Sequence, residues 1–281
     1  MKIGIIMLRY PPGFDSPVMS GTIDLLTEWG VRVDIIYPEE RVIHLSKIKP
    51  EHDLYVLKSR TEMALAYAGL LWGAGAATLN PYPAAAVMRH RISAASMLLK
   101  GGVPVPETYV TAHPEQLTDL LEEGPLAIKL YRGTGVRGIH VLWDAEEMDD
   151  VPTNQGPIFA QRFIQRDNPV RKLYVISGEI FGVAHPWLAR NSEEKRGTPF
   201  TITPRLREIA RRCGETFGIE TFGLSIIGTD EEAYVVDVHS FPDFRGVPNA
   251  SLRLADFIYH YCRRMMRGEI LPGALPSRRE I

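Results

Sequence analysis

The chain has 281 residues, 45% hydrophobic and 23% charged, with a formal net charge of -2, the balance of a soluble globular protein built from two or three substructures. That charge excludes bulk attraction to nucleic acid or an anionic membrane, so neither is expected as a partner, and any basic site must be local. Cys213 and Cys262 are too few for a disulfide framework, which points to a reducing cytoplasmic setting, and the apolar opening KIGIIM is too short for a secretory core or a membrane span.

In chain order, Lys2 to Met7 reads as a strand and is followed by a loop with Pro11, Pro12 and Gly13. A helix from about Ser16 to Trp29 stops at Gly30, and a strand runs from Val31 to Tyr37. The strand DLYVLK and a helix through MALAYAGLLWGAG follow, so residues 1–84 read as a small doubly wound parallel-sheet domain. Arg9 and Tyr10, at the carboxyl end of the first strand, stand where such a sheet places ligand contacts. From Ala85, AAAVMRHRISAASMLLK reads as one apolar helical stripe closed by Gly101 and Gly102, and VPVPETYV as an extended segment. A short helix in HPEQLTDLLEEG precedes PLAIKLYRGTGVRGIHVLW, which is strand, glycine loop, strand. IFAQRFI is another strand, RKLYVISGEIFGVAHPW a hairpin turning at Ser177 and Gly178, and Pro204 to Phe217 a helix. Two strands in FGLSIIGTDEEAYVVDVH and a helix from about Leu252 to Met266 complete the pattern, with no internal repeat.

Three stretches carry chemistry. In AYVVDVHSFPDFRGVPNA, strand alternation projects Asp237 and His239 from one face, roughly 7 Å apart along it: two metal-capable groups, or the wet side of a surface strand. In RGTGVRG, glycines bring backbone N–H groups close to whatever lies beneath, which suits a polyphosphate, although a hairpin needs glycine for turn geometry alone. Lys129, in the apolar frame LAIKL, must face a carboxylate or a phosphate, because an unpaired buried ammonium is costly.

The order of these pieces resembles the ATP-grasp superfamily: a helix with a basic residue, G-V-P-V-P, a strand with lysine before a glycine loop, Q-x-F-I, a basic residue on a hairpin, and a late Asp-x-polar strand. The likeness runs from KIGIIM to the final helix. It looks closest to the small ligases that attach glutamate or similar amino acids to a carboxylate, and in FGLSII with VVDVHSFPDFRGV to ATP-grasp inositol phosphate kinases. The resemblance implies α/β and α+β architecture, with an N-terminal doubly wound domain (1–84) and a two-lobed ATP-grasp fold: a central lobe with the glycine loop (85–157) and a C-terminal lobe with the metal site (158–281).

It also implies roles. ATP would lie between the lobes, with Lys129 on its α- and β-phosphates and Gly133, Thr134, Gly135 and Gly138 covering the triphosphate. Arg91 matches the family's first phosphate-binding lysine as a planar fork. Gln161, Arg162, Phe163 and Ile164 match the hinge strand that reads adenine, with Arg162 in place of an acidic or amide residue. Lys172 matches a basic residue facing the γ-phosphate or the second substrate, and Arg190 would help to bind an anionic substrate. The family holds Mg²⁺ with an acid on one strand and an acid-x-Asn pair on the next; here those positions are Ser225, Asp237 and His239. Only Asp237 keeps the family type, so one Mg²⁺, a softer ion such as Mn²⁺, or loss of catalysis are the alternatives. Asp243, Arg245 and Asn249 follow closely enough to help close the site.

The implied activity is an ATP-dependent carboxylate-amine ligase, in which a small-molecule carboxylate attacks the γ-phosphate and an amine displaces the acyl phosphate. A kinase of a small polyol or inositol phosphate and a catalytically impaired nucleotide-binding protein are the competing readings. The substrates and any homo-oligomer are left open.

Overall fold

The computed structural model describes residues 1–9, 16–129, 139–151, 156–165, 170–186 and 196–270. Its first sheet is parallel, in the order β2-β1-β3-β4, formed by β1 (Lys2–Ile6), β2 (Arg32–Ile36), β3 (Leu54–Leu57) and β4 (Thr78–Leu79). Alternation sorts its side chains onto two faces. Ile3, Ile5, Leu54 and Val56 join a cluster that includes Met19 and Leu26 of α1 (Pro17–Glu28), whereas Ile6, Tyr55 and Leu57 pack with Ala64, Ala68 and Leu71 of α2 (Glu62–Gly73). The sheet is therefore covered on both sides, as the near-continuous apolar strands require.

The apolar stripe after Ala85 is not one helix. It divides into α3 (Tyr82–Arg89) and α4 (Arg91–Lys100), because His90 takes an extended backbone and its ring accepts the Ser93 N–H, capping α4. Hydrophobic period carries through such a break, since side-chain capping leaves no mark in the apolar pattern.

A second, antiparallel sheet has the order β5-β8-β6-β7, from β5 (Thr108–Thr111), β6 (Leu126–Lys129), β7 (Ile139–Leu142) and β8 (Ile158–Arg162). A 3-10 turn and α5 (Thr118–Glu122) cover it through Leu117 and Leu121. The third sheet, β11-β10-β9-β12-β13, contains β9 (Val170–Ile176), β10 (Glu179–His185), β11 (Thr198–Phe200), β12 (Thr221–Ile227) and β13 (Tyr234–His239). β11 has no counterpart in the sequence reading. The β9–β10 hairpin turns on Ser177 (φ 52°) and Gly178 (φ 80°), positive at both central positions as a tight two-residue hairpin demands. α6 (Pro204–Phe217) packs on one face of this sheet. The other face meets α7 (Ala250–Met266), and α7 also packs against α1, so one cluster joins the first and third sheets. Among the described residues, no helix is long and apolar enough to cross a membrane.

Candidate active site

A bulge in β13 builds the site. Ser225 pairs with Asp237 but Ile226 pairs with Val235, so Val236 is an extra residue on its strand. Leu224, Ile226, Val235 and Val238 all face the α6 side. Asp237 and His239 consequently share the opposite face, across from Ser225 and Gly223. Lys172 of β9 pairs with Ser225 from the other side, which sets Lys172, Ser225 and Asp237 in one transverse row.

Lys129 closes the row from the second sheet. Only 5% exposed, it donates to Gln161 Oε1 and to the Val236 carbonyl, each at 2.7 Å. The bulge is what turns that carbonyl to a side-chain donor. Gln161 Nε2 donates to Thr108 Oγ1 at 3.1 Å, and the Thr108 hydroxyl donates to Pro106 O at 2.7 Å. This directional chain orients the amide with its oxygen toward Lys129. The sequence called for an anion beside Lys129; Gln161 Oε1 and the Val236 carbonyl, which accept from it, are neutral, and the carboxyl of Asp237 lies within electrostatic reach, held ionised in part by Lys129.

Asp237 Oδ2 lies 3.2 Å from His239 Nε2, and Oδ1 accepts the Val238 N–H at 3.0 Å. Burial pushes the His239 imidazole down to about 4, against the pull of Asp237 and with repulsion from Arg60, Lys172 and Arg91. The ring is therefore neutral near pH 7 and donates from Nε2 to the carboxylate. Burial alone would raise Asp237, but His239, Lys129, Arg91 and Arg60 outweigh it and hold the carboxyl below its usual range. Water still reaches it, since the side chain is 38% exposed, so the group lies in a cleft rather than a sealed core. Burial also lowers Lys172, opposed by Asp237 and Asp243.

The first sheet contributes two residues that sequence reasoning missed. Lys58, 6% exposed on its side chain, pairs with Asp243 at 2.6 Å and donates to Pro242 O at 3.3 Å. Arg60 lies within electrostatic reach of Asp237 and Asp243. The available signal was position: both follow β3 at the carboxyl edge of a parallel sheet. At the end of β1, the other place that rule indicates, Arg9 pairs with Glu40 at 2.5 Å and stacks 4.1 Å from the Tyr37 ring centroid. Tyr10 lies outside the described residues.

Arg91, at the first position of α4, is brought to the Asp237–His239 pair. Arg162 turns away from the cleft: its guanidinium donates to Leu120 O at 2.9 Å and Gly124 O at 2.7 Å and pairs with Glu123 at 3.0 Å. Phe163 gives its backbone N–H to Pro125 O at 2.9 Å and packs edge-on to Trp143. Ile164 follows, half-buried. Asn249 stands at the N-cap of α7 in a left-handed conformation (φ 52°). Gly133, Thr134, Gly135, Gly138 and Arg190 lie outside the described residues.

As a metal site the donors are sparse. Among the described residues, no group of three or more His, Cys, Asp or Glu side chains is placed to hold an ion. One carboxylate with a hydroxyl and an imidazole beside it fits a single divalent ion whose other ligands come from phosphate oxygens and water, and does not fit a second ion.

A family model described as a RimK-like ATP-grasp domain matches residues 88–258. A probable alpha-L-glutamate ligase of Legionella pneumophila (strain Corby) is 24% identical over 206 residues, covering 68% of both chains. One from Citrobacter koseri is 26% identical over 189 residues, covering 62% of both. Among solved structures, the RimK domain ATP-grasp protein of Sphaerobacter thermophilus DSM 20745 superposes with a TM-score of 0.74 at 18% identity, over 92% of this chain and 100% of the other. The D-cycloserine synthetase DcsG gives 0.73 at 12%, over 93% and 100%. The ligase PsnB, solved with a minimal precursor, Mg and ADP, gives 0.67 at 17%, over 93% and 98%.

Proposed function

The chain belongs to the RimK-like ATP-grasp family, and on that premise we propose that it is an ATP-dependent ligase joining a carboxylate to an amine through an acyl phosphate. One observation carries the reading: Lys129 of the second sheet and Asp237 of the third meet in a single cleft, bridged by the Val236 carbonyl. The relatives named as glutamate ligases, and the neighbour solved with Mg and ADP, support the reaction class and the use of ATP with Mg²⁺.

In this reading Lys129 and Arg91 meet the triphosphate, and Lys172 approaches the transferring phosphoryl group from the Ser225 row. The acceptor carboxylate attacks the γ-phosphorus, ADP leaves, and the amine then attacks the acyl carbon and expels inorganic phosphate. Such chemistry needs phosphate positioning and charge neutralisation more than a protein nucleophile. Asp237, with Ser225 and His239 beside it, would hold the divalent ion, which would neutralise phosphate charge when bound. The backbone after β8, at Phe163 and Ile164, would face adenine, and the loop at Gly133 to Gly138 would cover the phosphates. We assign Arg190 to the second substrate on the family match alone. The units 1–84, 85–157 and 158–281 are proposed as the three domains.

The test is product analysis. Purified protein incubated with ATP, Mg²⁺ and pools of carboxylic acids and amino acids releases ADP and inorganic phosphate in equal amounts if the proposal holds. ADP without free phosphate indicates transfer to a hydroxyl instead, and no turnover with any pool counts against both.

A further inference from the structure

A recess opens beside the Asp237–His239 pair, between the end of β3, the last turn of α3 and the end of β13. Ser59, Arg60, Arg89, His239 and Ser240 line its polar wall, over an apolar floor that includes Leu57, Met88 and Val238. Arg60 has no hydrogen bond and no ion-pair partner among the described residues; Asp237 and Asp243 attract it from a distance, and Arg89 and Arg91 lie close enough to repel it. Arg89 gives one terminal nitrogen to Glu62 at 3.1 Å. Its Nε is buried with no hydrogen-bond partner. Buried polar donors are nearly always paired, so an orphaned guanidinium N–H on the wall of a recess marks a position that an acceptor completes.

Converging guanidinium groups repel one another unless an anion lies between them, and their planar forks match carboxylate and phosphate oxygens. The floor decides which anion. A triphosphate with its ion is polar on every side, whereas an apolar floor suits one charged group carried on a carbon skeleton. We propose that this recess is an oxyanion subsite for the acceptor substrate, holding a carboxylate or phosphate group against Arg60 and Arg89. The assignment rests on the ATP-dependent reading above, because it separates these arginines from Lys129 and Lys172, which serve the nucleotide.

The test uses the full chain saturated with AMPPNP and Mg²⁺, titrated calorimetrically at fixed ionic strength with acetate and, separately, with inorganic phosphate. At least one anion binds saturably; preference for acetate identifies a carboxylic acid acceptor, and preference for phosphate a phosphate ester. Arg60→Gln and Arg89→Gln each weaken that binding by about tenfold or more, the loss expected for one charge-assisted partner. Arg60→Lys, which keeps charge and loses the fork, falls between. AMPPNP affinity stays within about twofold in all three. Absence of saturable anion binding, or unchanged binding in both glutamine variants, overturns the subsite. Parallel loss of AMPPNP affinity also overturns it, by assigning the arginines to the triphosphate. Failure of the unmodified chain to bind AMPPNP refutes the ATP-dependent reading itself, which is a separate result.

Discussion

Gln161→Glu tests whether the neutrality of the Gln161 amide beside Lys129 matters. Lys129 Nζ lies 2.7 Å from Gln161 Oε1, so the substitution replaces a neutral oxygen by a carboxylate in contact with the ammonium, with almost no change of shape. The new charge cancels that of Lys129 and lies roughly 6 Å from a phosphate oxygen on the far side of the ammonium; at an effective dielectric of about 20 that repulsion is roughly 3 kcal/mol. Nucleotide affinity should fall by on the order of a hundredfold. Stability should move little, within about 2 kcal/mol, because the attraction of a buried pair is largely offset by the desolvation of the added carboxylate. Calorimetric titration with AMPPNP and Mg²⁺, beside urea unfolding without nucleotide, reads both quantities. Gln161→Leu separates charge from hydrogen bonding, since it removes one acceptor and adds no charge, and should cost about tenfold. AMPPNP affinity within about threefold of the parent in Gln161→Glu would refute the argument.

Lys129→Met keeps the length of the side chain and removes its charge; AMPPNP Kd should rise about tenfold to a hundredfold while the chain stays folded by circular dichroism, and an unchanged Kd would remove Lys129 from the site. The His239 imidazole has its pKa pushed down to about 4 from 6.5, so below pH 6.5 the unfolded chain takes up a proton that the folded chain refuses. Its contribution, up to about 3 kcal/mol, is complete above that pH and is lost as pH falls toward 4; His239→Asn should flatten the slope of urea stability between pH 6.5 and 4, and an unaltered slope would contradict the buried neutral ring. Ser225→Asp places a second carboxylate between Lys172 and Asp237, and Mn²⁺ titration followed by electron paramagnetic resonance should then show two ions per bound AMPPNP where the parent shows one; two ions in the parent would sink the single-ion reading. His90→Ala removes the ring that caps α4 and should cost about 1 kcal/mol in unfolding free energy, with AMPPNP affinity reduced because Arg91 occupies the first turn; intact affinity would detach Arg91 from the nucleotide.

What could be read from the sequence was whatever depends on local period. Alternation alone set Asp237 and His239 on one wall, and they do share it, because the bulge falls before them at Val236. Ser177 and Gly178 announced their hairpin, since few residues tolerate positive φ at two consecutive positions. The parallel first sheet followed from apolar strands alternating with helical stripes. Features defined by a partner element were not legible. The bulge exists only relative to β12, and the break at His90 depends on a ring turning back to a backbone N–H. Arg162 occupied a promising position in Q-x-F-I, yet its long side chain found the open carbonyls at the end of α5. Lys58 and Arg60 are not legible as site residues because the sequence does not say which strand end of a parallel sheet the neighbouring lobe will cover.

The departures at Ser225 and His239 are coherent once the charges around them are counted together. Arg60, Arg91, Lys129 and Lys172 all lie within electrostatic reach of Asp237 and favour its ionised form. An acid at 225 would stand in the same row as Lys172 and claim its ammonium, removing a cation from the phosphates in order to hold another ion. With a hydroxyl there, Lys172 has no carboxylate in contact among the described residues. His239, neutral and donating to Asp237, fixes the remaining carboxylate without cancelling it. On the proposed reading, phosphate charge would be met mainly by Arg91, Lys129 and Lys172, with Arg60 left to the acceptor, and the single carboxylate would need to recruit only one ion. On this argument the altered metal ligands and the dense ring of basic residues are one adaptation, and neither implies loss of catalysis.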